Sequence, residues 1–386
     1  MIPYGRQSID NSDIESVIAV LRSDFITQGP VVPRFESSLA AYCGAEHAVA
    51  VNSATSALHV ACLALGVGPG DIVWTSPITF VASTNCALYC GADIDFVDID
   101  PLTFNMSPTA LEAKLELAEQ SGRLPKVVIP VHLCGQSCDM RAIHQLAKRY
   151  GFRILEDAAH AVGGTYSGKP IGSCEFSDIA SFSFHPVKII TTAEGGMTMT
   201  NNSELAERMR LFRSHGITRD PARMVHASHG PWYYEQVALG FNYRLTDLQA
   251  ALGLNQLARI DAFVERRHVL ARRYDDKLSG LPVVAQRREA NSGRSSLHLY
   301  VVRLDIKHIA RSHRSVHEAL RNSGIGVNLH YIPVYLQPYY ANLGFEPGHC
   351  PEAERYYGEA LSLPLYPDLS ERQQDDVVAA LKAAIA

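Results

Sequence analysis

Residues 127–160 contain Val127-Val128-Ile129-Pro130-Val131, a helical pattern at 140–150, and Arg153-Ile154-Leu155-Glu156-Asp157-Ala158-Ala159-His160. The two short aliphatic runs read as strands and the stretch between them as a crossover helix, which makes the strands a parallel pair. Similar runs stand at 48–51, 72–75, 94–97, 179–183 and 196–200, and helical stretches at 55–65, 80–90 and 109–119. This alternation predicts an α/β fold built on a mainly parallel sheet. Gly66-Val67-Gly68-Pro69-Gly70-Asp71 follows a helix, so it is a turn and not a dinucleotide-binding loop.

Beyond residue 245 the pattern changes. Leu248, Ala251, Leu252, Leu257, Ile260, Phe263 and Val264 predict one long helix over about 246–277. A strand at 297–304, a helix at 314–323, a Pro- and Tyr-rich loop at 329–343 and a terminal helix at 371–385 follow. The expectation is a large α/β domain over 1–250 and a smaller α+β domain over 251–386. A chain of 386 residues, 47% of them hydrophobic, can fill two cores.

The charge is nearly balanced, 35 basic against 40 acidic residues, which argues against a nucleic-acid binder and for a small-molecule substrate. With no signal peptide and no apolar run of bilayer length, the expected location is the cytoplasm, with no membrane partner. The eight cysteines are then expected as thiols. Cys86/Cys90 and Cys134/Cys138 lack the spacing of a zinc site, so no metal is expected.

Four segments bring different chemistry to the carboxyl ends of the strands, where such sheets bind ligands. Asn52-Ser53-Ala54-Thr55-Ser56 opens a helix; its hydroxyls either cap that helix or help bind a phosphate at the helix N-terminus. Asp157 ends an apolar strand, where it either caps the next turn or balances a buried cation such as a protonated pyridine nitrogen. Ser181-Phe182-Ser183-Phe184-His185-Pro186-Val187-Lys188 runs from a buried strand into a loop. Lys188 there is either a surface charge or a partly desolvated amine suited to imine formation. Gly240-Phe241-Asn242-Tyr243-Arg244-Leu245-Thr246-Asp247 precedes the long helix, with Thr246 or Asp247 as its cap.

Together these residues resemble the DegT/DnrJ/EryC1/StrS sugar aminotransferases, which are fold-type I pyridoxal 5′-phosphate (PLP) enzymes. The similarity runs over nearly the whole chain. Ser183-Phe184-His185-Pro186-Val187-Lys188 followed by Glu194-Gly195-Gly196 matches the family's lysine motif. The resemblance implies that Lys188 is the Schiff-base lysine and that Asp157 pairs with the cofactor's ring nitrogen. It further implies that His160 lies beside the ring hydroxyl or the site wall, that Phe80 stacks on the ring, and that Ala54, Thr55 and Ser183 bind the phosphate. Asn242 matches an asparagine that reaches the phosphate of a neighbouring subunit, which implies a homodimer with shared sites.

Within the family, His185–Thr192 and Gly324–Val334 resemble the branch that works in pseudaminic acid biosynthesis, transferring the amino group of L-glutamate to C4 of a UDP-linked 4-keto-6-deoxy-N-acetyl hexose. Enzymes making the lipid A 4-amino-arabinose precursor are the nearest rival. By the same resemblance Tyr4 and Gln7 belong to an N-terminal segment near the sugar, and His185, His330 and Tyr331 are expected to touch substrate. A sugar dehydratase of this fold carries histidine where this chain has Lys188, and a non-catalytic binding protein would lack Lys188 or Asp157.

Overall fold

The computed structural model describes residues 1–288 and 293–386. Its largest sheet holds β1 (His47–Val51), β2 (Ile72–Thr75), β3 (Asp93–Phe96), β4 (Val127–Ile129), β5 (Arg153–Asp157), β6 (Ile179–Ser183) and β7 (Gly196–Thr200). The spatial order is β1-β7-β6-β5-β4-β2-β3, with β7 antiparallel to both neighbours and the other pairings parallel. Val127 and Ile129 join Val49, Val73, Leu155 and Ile179 in the core on one face, while Val128 packs with Trp74 and Ile154 on the other. Because helices cover both faces, the strands read as unbroken apolar runs.

The strand expected over 127–131 stops at Ile129, since Pro130 has no N–H for the ladder. The Pro130 carbonyl still accepts from the Asp157 N–H at 2.9 Å, which keeps the two chain segments paired as far as Asp157.

The single helix expected over 246–277 is two, Asp247–Leu257 and Ile260–Leu278. Arg259 leaves helical geometry between them (φ −109°, ψ 4°) and turns its guanidinium onto Asp10 and Asp13. Thr246 is the cap: it accepts from the Gln249 N–H, and the Gln249 side chain accepts from the Thr246 N–H.

An antiparallel sheet of Val283–Ala285, Tyr300–Leu304 and Ala360–Leu363 follows. Helices Ile260–Leu278, His313–Asn322 and Glu371–Ile385 share a separate core with it, including Leu270, Tyr274, Val302, Val316 and Val377. The strand expected from 297 begins at Tyr300, because Leu297 has a φ of 53° that no strand accommodates. Helices also form at Asn11–Leu21, Val31–Cys43, Ser203–Arg213 and Pro351–Glu359, where the sequence pattern placed none. Among the described residues no helix is long and apolar enough to cross a membrane.

Candidate active site

The segments that follow β1, β2, β5 and β6 converge on a cleft of about 600 Å³. It is lined by Thr55, Phe80, Asp157, Ser183, Lys188 and Tyr331 among others. A roomier groove of about 790 Å³ along edge strand β3 is walled by Ile72, Trp74, Leu117 and Phe345, and brings no such constellation together.

Lys188 lies on a loop pinned at both ends. Phe184 N–H donates to the Gly195 carbonyl at 2.9 Å, Thr192 N–H returns to the Phe184 carbonyl at 3.0 Å, and Lys188 N–H donates to the His185 carbonyl at 2.9 Å. The side chain keeps part of its surface open to the cleft, yet burial lowers the ammonium to about 8, against a smaller upward pull from the Asp157 carboxylate. The amine is thus partly unprotonated near neutral pH, as a nucleophile or proton acceptor must be.

Asp157 is the last residue of β5 and is 6% exposed. Ser83 Oγ–H donates to its Oδ2 at 2.5 Å, and the Ala159 N–H donates to its Oδ1 at 3.1 Å. Thr79 Oγ1 lies 2.6 Å from Ser83 Oγ and extends this chain. Both carboxylate oxygens are therefore oriented by uncharged donors, and a buried carboxylate so placed favours a cation presented from the cleft.

Ser53 caps the helix Ala54–Ala64 by accepting from the Ser56 N–H at 3.1 Å. Ala54 and Thr55, in the first turn of that helix, line the cleft. The N–H groups of such a turn lack intrahelical partners and favour an anion. Gly196 lets the strand pass close to this turn, since a Cβ there would lie 2.5 Å from the Ser53 carbonyl oxygen. Ser183, the ladder partner of Gly196, also lines the cleft.

Of the other expected residues, Phe80 stands 60% exposed at the cleft wall, with its ring 6.4 Å from that of Tyr331. Tyr4 and His185 also line the cleft. His160 does so while bonded on both sides: Nδ1 faces the Cys134 N–H at 3.3 Å, and Nε2 lies 3.1 Å from Tyr331 Oη.

Three further residues are placed as follows. His330 lines the cleft, but its Nδ1 is bonded to Ser362 Oγ at 2.7 Å and its Nε2 to Asn328 Nδ2 at 3.4 Å, so neither ring nitrogen is free for substrate. Gln7 lies outside the cleft, in a separate groove with Ile14, Ile18 and Pro186. The Tyr4 carbonyl accepts from the Leu365 N–H at 3.0 Å. Asn242 is exposed and does not line the cleft of its own chain.

Sequence reasoning passed over Thr79 and Ser83, the Cys134 N–H, and His298. His298 is 3% exposed, lines the cleft, and sets its ring 4.4 Å from that of His160. A polar residue in the otherwise apolar Leu297-His298-Leu299-Tyr300 run was the available signal for it.

A family model described as the DegT/DnrJ/EryC1/StrS aminotransferase family matches residues 7–382. A Bacillus subtilis spore coat polysaccharide biosynthesis protein, SpsC, is 42% identical over 383 residues, 99% of this chain and 96% of that protein. A Campylobacter jejuni UDP-4-amino-4,6-dideoxy-N-acetyl-beta-L-altrosamine transaminase is 38% identical over 370 residues, 96% of this chain and 94% of that protein. The PLP-form of the Streptococcus pneumoniae protein Spr1654 superposes with a TM-score of 0.88 at 32% identity, covering 99% of this chain and 98% of that one.

Proposed function

Because the chain belongs to the DegT/DnrJ/EryC1/StrS aminotransferase family, we propose that it is a PLP enzyme moving the amino group of L-glutamate to C4 of a UDP-linked 4-keto-6-deoxy-N-acetyl hexose. The observation that carries this reading is the meeting of three unlike groups in one cleft: the Lys188 amine, the buried Asp157 carboxylate, and the open N-terminus of the helix Ala54–Ala64. That set fits a phosphorylated aromatic aldehyde. Lys188 would hold it covalently, Asp157 would keep a proton on its ring nitrogen, and Phe80 would lie against its ring. Ala54 N–H, Thr55 and Ser183 would hold its phosphate.

When bound, PLP supplies the electron sink and carries the amino group between the two substrates. The protein supplies proton transfer and orientation. Lys188 Nζ takes the proton from Cα of the donor, and later returns one to C4 of the acceptor; a value of about 8 suits a group that must do both. One lysine serves one face of the reacting centre, so the pose of the sugar sets the configuration of the new amine.

The exposed Asn242 suits a role in the site of a second copy, and the exposed apolar side chains Val225, Trp232 and Leu239 support a partner surface, so the chain is read as a homodimer. The C. jejuni relative supports the UDP-linked acceptor. The spore coat relative favours a second reading with the same chemistry, an acceptor sugar of another kind on another nucleotide.

The test is the visible absorbance of the holoenzyme, read before and after L-glutamate and again after UDP-linked 4-keto-6-deoxy-N-acetyl sugars of defined configuration. Loss of the band with glutamate and its return with one sugar is the expected result. A band that returns only with other nucleotide sugars selects the second reading, and a band that glutamate leaves untouched removes both.

A further inference from the structure

We propose that Tyr331 is a dedicated hydrogen-bond donor, whose hydroxyl proton is directed by His160 onto an electron-rich oxygen of the group bound in the cleft. The inference deepens the aminotransferase reading and rests on it for the identity of that group.

The direction follows from the hydrogen bonds behind the tyrosine. A main-chain N–H can only donate, so His160 Nδ1, 3.3 Å from the Cys134 N–H, carries no proton. Burial, with Lys188 and His330 nearby, holds the His160 imidazole well below its usual range, so the ring is neutral. Its one proton then sits on Nε2 and is donated to Tyr331 Oη at 3.1 Å. That oxygen is an acceptor on its protein side.

Burial, followed by the Asp157 charge, raises the Tyr331 phenol, so the hydroxyl keeps its own proton. Nothing else among the described residues accepts that proton, and Tyr331 lines the cleft, which is where the O–H points for want of any other acceptor.

The turn that supplies the first donor is firmly set. Cys134 has a φ of 61°, and Asn105 Oδ1 accepts from the neighbouring Leu133 N–H at 3.0 Å. Gly135 tolerates no side chain, since a Cβ would lie 2.2 Å from Ser296 Oγ and 2.9 Å from the His160 carbonyl oxygen. The neighbouring His330 is committed to Ser362 and Asn328 and does not compete for Tyr331. His298 meets the His160 ring, and its Nδ1 has no partner.

Two oxygens share the chemistry this donor would recognise: the ring oxygen of the cofactor and the carbonyl oxygen of the keto acceptor. A donor fixed before reaction is most effective where negative charge builds on the accepting oxygen, and loss of one such donor lowers turnover by about 10²-fold.

The test uses the holoenzyme and Tyr331→Phe. If the cofactor oxygen is the acceptor, the variant shows a shifted visible band and a shifted pH titration of that band. If the substrate oxygen is the acceptor, the band and the glutamate half-reaction stay as they are, and the sugar half-reaction slows by about 10²-fold with KM little changed. A variant that matches the parent within about twofold in band and in both half-reactions overturns the proposal. Failure of the parent enzyme to react with glutamate would instead count against the aminotransferase reading.

The relay is tested separately. His160→Gln offers one amide acceptor and one amide donor and is expected to restore most of what His160→Leu loses, whereas a His160→Leu enzyme with parental rates excludes the relay. Long-range ¹H–¹⁵N correlation of histidine-labelled protein reads the His160 tautomer without turnover. A neutral Nε2–H ring, unchanged from pH 6 to 9, is expected, and an Nδ1–H or doubly protonated ring refutes the assignment.

Discussion

Capture of the cofactor by the cofactor-free protein should report the Lys188 environment directly. Burial lowers its ammonium from the ordinary 10.5 to about 8. At pH 7 an ordinary lysine leaves about 1 amine in 3000 unprotonated, and one at about 8 leaves about 1 in 10, roughly a 300-fold gain in nucleophile. The rate of PLP capture, followed by the rise of its visible band, should climb about tenfold per pH unit below 8 and level off above it. Asp157 pulls the value upward, so Asp157→Asn should move the break to lower pH. A rate that keeps climbing past pH 10 in the parent protein would mean an ordinary, solvated lysine and would refute this account of the loop.

Asp157→Asn should also keep weak cofactor binding while glutamate-driven loss of the band falls by at least about 10²-fold; near-parental half-reaction rates would remove Asp157 from the chemistry. Ser83→Ala deletes the 2.5 Å donor to Asp157 Oδ2, and single-turnover rates should fall about 10-fold with the fold intact by circular dichroism. In Gly196→Ala the new methyl meets the Ser53 carbonyl at 2.5 Å, so the Kd for PLP, titrated by fluorescence, should rise by at least about 10-fold. Arg259→Ala removes both ion pairs that tie Asp10 and Asp13 to the helix break, leaves the 1%-exposed Asp13 carboxylate without its cation, and should lower Tm by several degrees, roughly 2–8 °C.

The strands were legible because a sheet buried on both faces demands short, continuous apolar runs, and each such run in the first half of the chain forms a strand. The helix Asn11–Leu21 escaped notice because Ile14, Ile18 and Leu21 on its outer side are exposed, which blurs the apolar stripe. Its capping box, Asp10 with Asp13, was the local signal that could have revealed it. The break at Arg259 had no local signal at all, because its cause is a pair of carboxylates almost 250 residues upstream.

Lys188, Ser183, Gly195 and Gly196 could be read from the chain because a covalent lysine, its strand end and its tight loop lie within fourteen consecutive residues. Local chemistry of that kind survives as a motif. The donors that make the site work are of another kind: Ser83 meets Asp157 across 74 residues, and His160 meets Tyr331 across 171. Such pairs follow from strand order and tertiary packing, and no spacing in the chain encodes them. The same physics constrains His330, which lines the cleft with both ring nitrogens committed, in the folded protein, to Ser362 and Asn328. A residue's type sets what it can donate or accept, and the packed surroundings decide which of those capacities is left for a ligand.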